Sequence, residues 1–215
     1  FGARTCTLSP HIRSSNMWHR TQLTPSQVAD TIGERHVAFQ HREAIMDVHV
    51  KLDENGYIPD AYAKYADRSG LYAGTPTRSF PFEVTGVPAG AATLAVVFYD
   101  VGSIPVCGFP WVHWCACDIP ASVAKFPEDA SNQRFAGMVQ GKNSSASRLV
   151  GSRDPLLTCR YNGPQPPDRD HTYTLRVYAL DNAPQLREGF WLNELLHTME
   201  GHVMDEAVAQ LPARA

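Results

Sequence analysis

One segment of the chain reads Tyr161-Asn162-Gly163-Pro164-Gln165-Pro166-Pro167-Asp168-Arg169-Asp170-His171-Thr172-Tyr173. Each proline fixes φ and lacks a backbone N–H, while the glycine permits conformations closed to other residues, so this first half is a stiff turn. From His171 the chain continues with β-branched and aromatic residues, which predicts a strand. A rigid loop therefore presents one imidazole at a strand start. That imidazole either binds an anion or does acid–base chemistry, or it is a hydrogen-bonded structural residue.

Upstream, residues 94–99 form a continuous apolar run that ends in Asp100. Such a run predicts a strand buried on both faces, with the carboxylate where the strand emerges. The next predicted strand runs from Trp111 to Ile119 after a turn-rich segment, so the two strands are expected to be antiparallel. A carboxylate and a histidine on neighbouring strands then meet. We expect Asp100 to pair with His113, raise its pKa and orient its ring, as in an anion pocket or a general acid–base pair.

Strict alternation along the second strand places His113 on one face together with Cys115 and Cys117. The two cysteines are separated by one residue, whereas zinc-binding pairs are separated by two to four, and no second pair completes four ligands. Buried thiols are the favoured interpretation over a metal site, and no cofactor motif is found. The five cysteines are odd in number and scattered, which favours a reducing compartment over a disulfide framework.

The remaining chain predicts further elements of a β-rich domain. Residues 48–52 alternate like a half-buried strand, and residues 80–84 resemble an edge strand because Pro81 cannot donate to a central ladder. The long connection over 122–160 is of the kind that is functional or binds a partner. Apolar residues at helical spacing predict two packed helical pieces over 187–210, interrupted by Gly201.

The first 46 residues differ from the rest. No acidic residue precedes Asp30, and arginines are interspersed with serines and threonines, the composition of an organellar targeting segment. The chain begins at Phe1, as a processed product would. A cap at Thr24 followed by Pro25 predicts a short helix near 25–42. We interpret residues 1–46 as an N-terminal extension, either a targeting remnant or a docking arm for protein partners, and expect a mitochondrial location, with a cytoplasmic one as the alternative.

The length, net charge and apolar runs of the chain narrow the classes of function. A chain of 215 residues with a formal net charge of −3 has the size of one main domain, here residues 47–215, and carries no direct signal for nucleic-acid binding. No apolar run approaches the roughly 20 residues of a membrane-spanning helix.

Ordered blocks of this sequence resemble the phosphatidylethanolamine-binding protein family, in particular its bacterial-type branch. The block Tyr-x-Gly-Pro-x-Pro-Pro followed by His-x-Tyr is present at residues 161–173, and an apolar strand ending in Asp, a loop, His-Trp and Ile-Pro is matched by Asp100, His113-Trp114 and Ile119-Pro120. The resemblance implies a β-rich α+β fold, an antiparallel Greek-key β-sandwich with C-terminal helices. It also implies a small anion pocket that accepts phosphate-like head groups. Carried over, the pocket residues are Asp100, His113, Gly163, Pro164, His171 and Tyr173.

The chain departs from the family pattern after the first strand, where Gly102 stands in place of a second acidic residue. Three functions remain open from the sequence. The first is a non-catalytic binding module for a phosphate, carboxylate or phospholipid head group. The second is a structural subunit of a mitochondrial assembly, such as a ribosome or respiratory complex, that uses the fold as a scaffold. The third is an acid–base enzyme of unknown substrate, for which two histidines and one carboxylate are a minimal set.

Overall fold

Antiparallel strands make up most of the regular structure in the computed structural model, which describes residues 45–215. Within these residues the strands are β1 (Asp47–Val50), β2 (Leu71–Tyr72), β3 (Thr75–Pro76), β4 (Phe82–Thr85), β5 (Thr93–Asp100), β6 (Trp111–Pro120), β7 (Lys125–Phe126), β8 (Val139–Gln140), β9 (His171–Leu180) and β10 (Val203–Ala213). The helices are α1 (Ile104–Cys107), α2 (Ala130–Gln133), α3 (Pro155–Thr158) and α4 (Leu192–Met199). None of them has the length and apolarity needed to cross a membrane. The predicted extension and its helix near 25–42 lie outside the described residues.

The large sheet has the strand order β10-β9-β5-β6-β8. As predicted, β5 is buried on both faces and pairs antiparallel with β6, and His171 is the first residue of a strand. Strand β9 returns after a long connection and pairs with the other side of β5, the kind of return expected of a Greek key. Strand β5 is therefore the centre of the sheet and touches both strands that carry the predicted pocket histidines.

A smaller sheet of order β1-β4-β7 packs on one face of the large one. The core between them is aromatic: Phe82 stacks on Phe126 with ring centroids 4.1 Å apart, and Phe80 and Trp114 meet Tyr161 edge-on. The other face of the large sheet is covered by α4, beneath which the thiols of the β6 cysteines are buried, as the favoured interpretation expected. These two faces give the β-rich α+β architecture that the sequence predicted.

Two secondary-structure predictions were wrong. Helix α4 ends at Met199, and the predicted second helical piece is strand β10, which pairs along its length with β9. Its inward residues Ala207, Leu211 and Ala213 repeat with a period of two, and the pairing with β9 outweighed the helical spacing of the apolar residues. The prediction of an edge strand over residues 80–84 was also wrong, because β4 is the middle strand of its sheet. Pro81 lies just before the strand begins, so its missing N–H removes no hydrogen bond from the ladder.

Candidate ligand-binding site

A cavity of about 280 Å³ opens at the edge of the large sheet where β5 ends and β6 and β9 begin. Five of the six predicted site residues line it: Asp100, His113, Gly163, His171 and Tyr173. Pro164 is buried beside them but does not line the cavity. The stiff loop over 161–170 forms one wall, with Pro166 and Pro167 in contact with the space.

Gly163 is required for a different reason from the one the sequence suggested. A Cβ at this position would lie 2.3 Å from the carbonyl oxygen of Tyr62 and 2.8 Å from Cβ of Pro76. Its N–H donates to the carbonyl of Pro76 at 2.7 Å. The absent side chain thus lets the loop pack directly against the 62–76 backbone.

His113 enters the cavity because strand β6 carries a bulge. Phe98 pairs with Trp114 but Tyr99 pairs with Val112, so His113 is an extra residue in the ladder. A bulge places two successive side chains on one face. The imidazole consequently packs against Phe98 and Tyr173, with ring centroids at 5.6 and 5.0 Å, and the prediction that it shares a face with the β6 thiols was wrong.

The proton arrangement of His113 follows from its surroundings. Ring Nδ1 lies 2.7 Å from the carbonyl oxygen of Asn162, which can only accept, so Nδ1 carries the hydrogen. Burial lowers the pKa of His113 to about 4, because desolvation outweighs the favourable effects of that hydrogen bond and of the nearby Asp100 carboxylate. At neutral pH the ring is uncharged. Nε2 has no partner within residues 45–215 and is left as a hydrogen-bond acceptor on the cavity wall.

Asp100 pairs with the other histidine. Its Oδ2 lies 2.7 Å from Nδ1 of His171, and both side chains are almost fully buried, with exposures of 4% and 2%. The expected pairing of Asp100 with His113, and the raised His113 pKa that depended on it, are therefore wrong. The second ring nitrogen of His171, Nε2, lies 3.0 Å from the carboxylate of Asp168, which is largely exposed. Carboxylates accept on both sides of this ring, and only an imidazolium donates to both.

Gly102, which stands in place of the acidic residue usual in the family, contacts Asp100 through its backbone. Its backbone N–H donates to Oδ1 of Asp100 at 2.7 Å. A Cβ there would lie 3.0 Å from that same oxygen and 3.1 Å from Cγ of His171. The backbone of Gly102 thus closes over the buried ion pair, at a distance where a side chain would be crowded.

Asn162 was not among the predicted site residues, although it lies inside the quoted segment. Its N–H and C=O both bond to His113, and its amide nitrogen donates to Ser145 Oγ at 2.8 Å. Its side-chain oxygen is buried and has no partner among the described residues. Its position before the Gly-Pro turn was the available signal. The hydrogen bond from the His113 ring is accepted by the backbone carbonyl of Asn162, and every residue has such a carbonyl, so the residue type could not have predicted it.

Tyr173 completes the wall. Burial is the main reason that the pKa of its phenol is raised, and the Asp100 carboxylate adds to it, so the hydroxyl keeps its hydrogen across the physiological range.

Comparison with known proteins agrees with the fold and the motifs. The family model described as phosphatidylethanolamine-binding protein matches residues 49–212. The chain belongs to the phosphatidylethanolamine-binding protein family. It is 48% identical over 167 residues to the uncharacterized protein YxkA of Bacillus subtilis, covering 78% of this chain and 99% of that protein. It is 33% identical over 158 residues to a UPF0098 protein of Methanothermobacter thermautotrophicus, covering 73% and 89%.

Solved structures of the family share the fold at lower sequence identity. A putative homologue from Chlamydia trachomatis, CT736, superposes with a TM-score of 0.63 at 24% identity, and Escherichia coli YbcL with 0.61 at 22%. Each comparison covers 80% of this chain and 99% of the other. These structural similarities show that the chain has the fold of these family members.

Proposed function

We propose that this protein is a non-catalytic binding module whose cavity takes the oxyanion group of a small molecule or phospholipid head group together with one proton. The observation that carries the proposal is the neutral ring of His113, with Nδ1 held by a backbone carbonyl and Nε2 left as an acceptor on the cavity wall. A fully deprotonated oxyanion offers Nε2 no hydrogen. Binding therefore requires a proton, either on the ligand or on the ring.

The fixed charges around His113 lead to the same conclusion. Asp100 and His171 face it from β5 and β9, and Asp168 neutralises His171 from the loop, so this trio carries a net charge of about −1 when the imidazolium donates to both carboxylates. The neighbouring Tyr173 is neutral. A protonated His113 would supply the missing positive charge, and a bound anion would raise its pKa by stabilising that charged form.

The size of the cavity favours a head group over a whole lipid. Pockets for drug-sized ligands measure roughly 300–1,000 Å³, and this cavity of about 280 Å³ lies just below that range. The family description names phosphatidylethanolamine. Its head group combines a phosphate, which His113 can contact once a proton is present, with an ammonium.

Calorimetric titration of the full chain with inorganic phosphate and with glycerophosphoethanolamine tests the proposal. We expect binding of both, with affinity increasing as the pH falls from neutral toward the His113 pKa of about 4. The slope approaches tenfold per pH unit if one proton is taken up, about 1.4 kcal/mol. His113→Ala should lower the affinity roughly 10- to 100-fold, the value of one hydrogen bond to a charged group. His197→Ala, a change of an exposed histidine on α4, is the matched control.

Sulfate separates the two sources of the proton, because it takes up no proton between about pH 5 and pH 8, so any proton taken up when sulfate binds must go to the ring. A rising affinity for sulfate as the pH falls assigns the proton to His113, whereas a pH effect confined to phosphate assigns it to the ligand. Affinity that is independent of pH for both anions, or equal effects of the two histidine substitutions, would overturn the proposal. Recovery of glycerophosphoethanolamine as hydrolysis products would instead favour the acid–base enzyme.

A further inference from the structure

A second cavity of about 380 Å³ shares no lining residue with the first one. Its walls come from three segments, which lie within residues 134–142, 155–160 and 188–189. Backbone hydrogen bonds join these segments, since the N–H of Lys142 donates to the carbonyl of Phe190 at 2.7 Å and that of Asn143 to the carbonyl of Thr158 at 2.8 Å. The volume falls within the roughly 300–1,000 Å³ of pockets that bind small molecules. This second cavity is therefore a fixed part of the fold with room for a ligand.

Four charged side chains line the second cavity, and three of them are positive: Arg134, Lys142, Arg160 and the negative Glu188. Both oxygens of Glu188 are already engaged, because Oε1 accepts from Arg134 at 2.7 Å and Oε2 accepts from the N–H of Gln140 at 3.1 Å. Lys142 and Arg160 form no ion pair within residues 45–215. Two positive charges thus converge on one concave site without a counter-charge, and such a site attracts anions.

The guanidinium of Arg160 is held in a fixed position. Its Nη1 donates to the carbonyls of Ser131 and Asn132, both at 3.1 Å. These two bonds use both hydrogens of Nη1, so the edge formed by Nε and Nη2 remains and has no partner in the part of the chain that the structure describes. This edge can donate two parallel hydrogen bonds to a carboxylate or phosphate group.

Lys142 faces the same space from a different wall. Its Nζ lies 4.9 Å from the centroid of the Trp191 ring, a cation–π contact that holds the ammonium at the side of the cavity. A Cβ on Gly189 would lie 3.7 Å from Cε of Lys142 and 3.6 Å from Sγ of Cys159. The lysine stem and the cysteine thiol are therefore both next to the surface of Gly189, and the thiol is close enough to report what binds beside the lysine.

We propose that the second cavity binds a small organic dianion such as a dicarboxylate. One anionic group of this ligand pairs with the free edge of Arg160 and the other with the ammonium of Lys142. The carbon chain between them contacts Pro155 and Leu156, which supply apolar lining. A ligand with one charge satisfies only one of the two cations. The proposal concerns a site separate from the first cavity and stands whatever that cavity binds.

Protection of Cys159 from alkylation tests the proposal, because its thiol lines the second cavity whereas Cys107 lines the first. The full chain is treated with iodoacetamide at neutral pH and constant ionic strength, with increasing succinate, and labelling is mapped to individual cysteines. We expect succinate to slow the labelling of Cys159 about fivefold or more, with half-protection at about 1 mM. Propionate, a monoanion, should need an approximately tenfold higher concentration.

Substitutions assign the protection to the two cations. Lys142→Gln and Arg160→Lys should each raise the half-protecting concentration of succinate about tenfold and leave the labelling of Cys107 unchanged. Arg160→Lys keeps the charge but removes the bidentate edge. Lys51→Gln, which removes a positive charge from the small-sheet side of the molecule, is the matched control and should change this concentration less than about twofold. The half-protecting concentration does not depend on the intrinsic reactivity of the thiol.

Three results would each overturn the dianion site. These are labelling of Cys159 that succinate does not slow, equal protection by succinate and propionate, and cavity variants that behave like Lys51→Gln. Parallel slowing of Cys107 and Cys159 in every variant would also contradict it, because that pattern indicates a general effect of the salt. Circular dichroism checks that each variant is folded. Should Arg160→Lys unfold the chain, Lys142→Gln, at a half-buried side chain, carries the test by itself.

Discussion

Asp100→Asn tests which of the two carboxylates on His171 stabilises the folded protein. Asp100 accepts from His171 Nδ1 and from the Gly102 N–H, both at 2.7 Å, in a nearly solvent-free environment. Asp168 contacts the other ring nitrogen at 3.0 Å, but its side chain is 44% exposed. The same imidazole thus has one buried and one exposed partner, and each serves as the control for the other.

The expected cost follows from what asparagine cannot do. It has one acceptor oxygen for two donors, so one donor meets an amide NH₂ group, and the imidazolium loses its buried counter-charge. Breaking a buried ion pair by removing one partner costs about 3–5 kcal/mol. We expect the lower end, about 3 kcal/mol, because His171 keeps its hydrogen bond to Asp168. Asp168→Asn should leave stability unchanged within error, since solvent screens an exposed pair.

The assay is urea unfolding of the full chain at neutral pH, followed by tryptophan fluorescence. A shifted midpoint with an unchanged m-value reports a change in stability alone. Equal losses for the two variants, or a larger loss for Asp168→Asn, would refute the assignment of Asp100 as the stabilising partner. A loss at Asp100 that vanishes in high salt would also contradict it, because a buried pair is poorly screened.

Three further outcomes are expected. Gly163→Ala should destabilise the protein by about 3 kcal/mol in urea unfolding, because its Cβ would lie 2.3 Å from a carbonyl oxygen. Gly74→Ala, at a position with φ +81° and open space around it, should cost about 1 kcal/mol. Equal costs for the two variants would contradict the packing argument. Gln140→Leu should cost about 2–4 kcal/mol by the same assay, because it leaves a buried indole N–H and a serine hydroxyl unpaired; a neutral effect would show that both find other partners. Burial raises the pKa of Cys117 to about 12, and this thiol is inaccessible in the folded protein. Alkylation at neutral pH, mapped to individual cysteines, should therefore label Cys107 and spare Cys117 until the chain unfolds. Rapid labelling of Cys117 in the folded protein would contradict its burial.

Local patterns predicted much of this fold. Strands β5, β6 and β9 were found from apolar runs and β-branched residues, and the stiff loop from its prolines. Each of these signals comes from residues adjacent in sequence. The prediction failed for β10, whose apolar residues fit a helical period as well as a strand, because only pairing with β9 decides between the two.

The candidate site was likewise predictable in part from local sequence. Five of the six predicted residues line one cavity, since the motifs that carry them occupy neighbouring strand ends. Their roles were less predictable. A single bulge turned His113 to the opposite face, and an asparagine backbone carbonyl set its protonation. Neither a bulge nor a backbone contact depends on a residue type that can be recognised in advance.

By itself, the sequence determined the family, the β-rich architecture and the set of side chains around the cavity, because ordered motifs and local propensities specify them. Only the tertiary structure decided which histidine holds Asp100. Strand β5 is hydrogen-bonded on both sides, and Asp100 lies opposite Trp111 on β6 and Tyr173 on β9. Each pocket histidine is two residues from one of these partners, so strand order alone leaves the choice open. The β6 bulge and the N–H of Gly102 direct the carboxylate toward the histidine that begins the strand after the stiff loop.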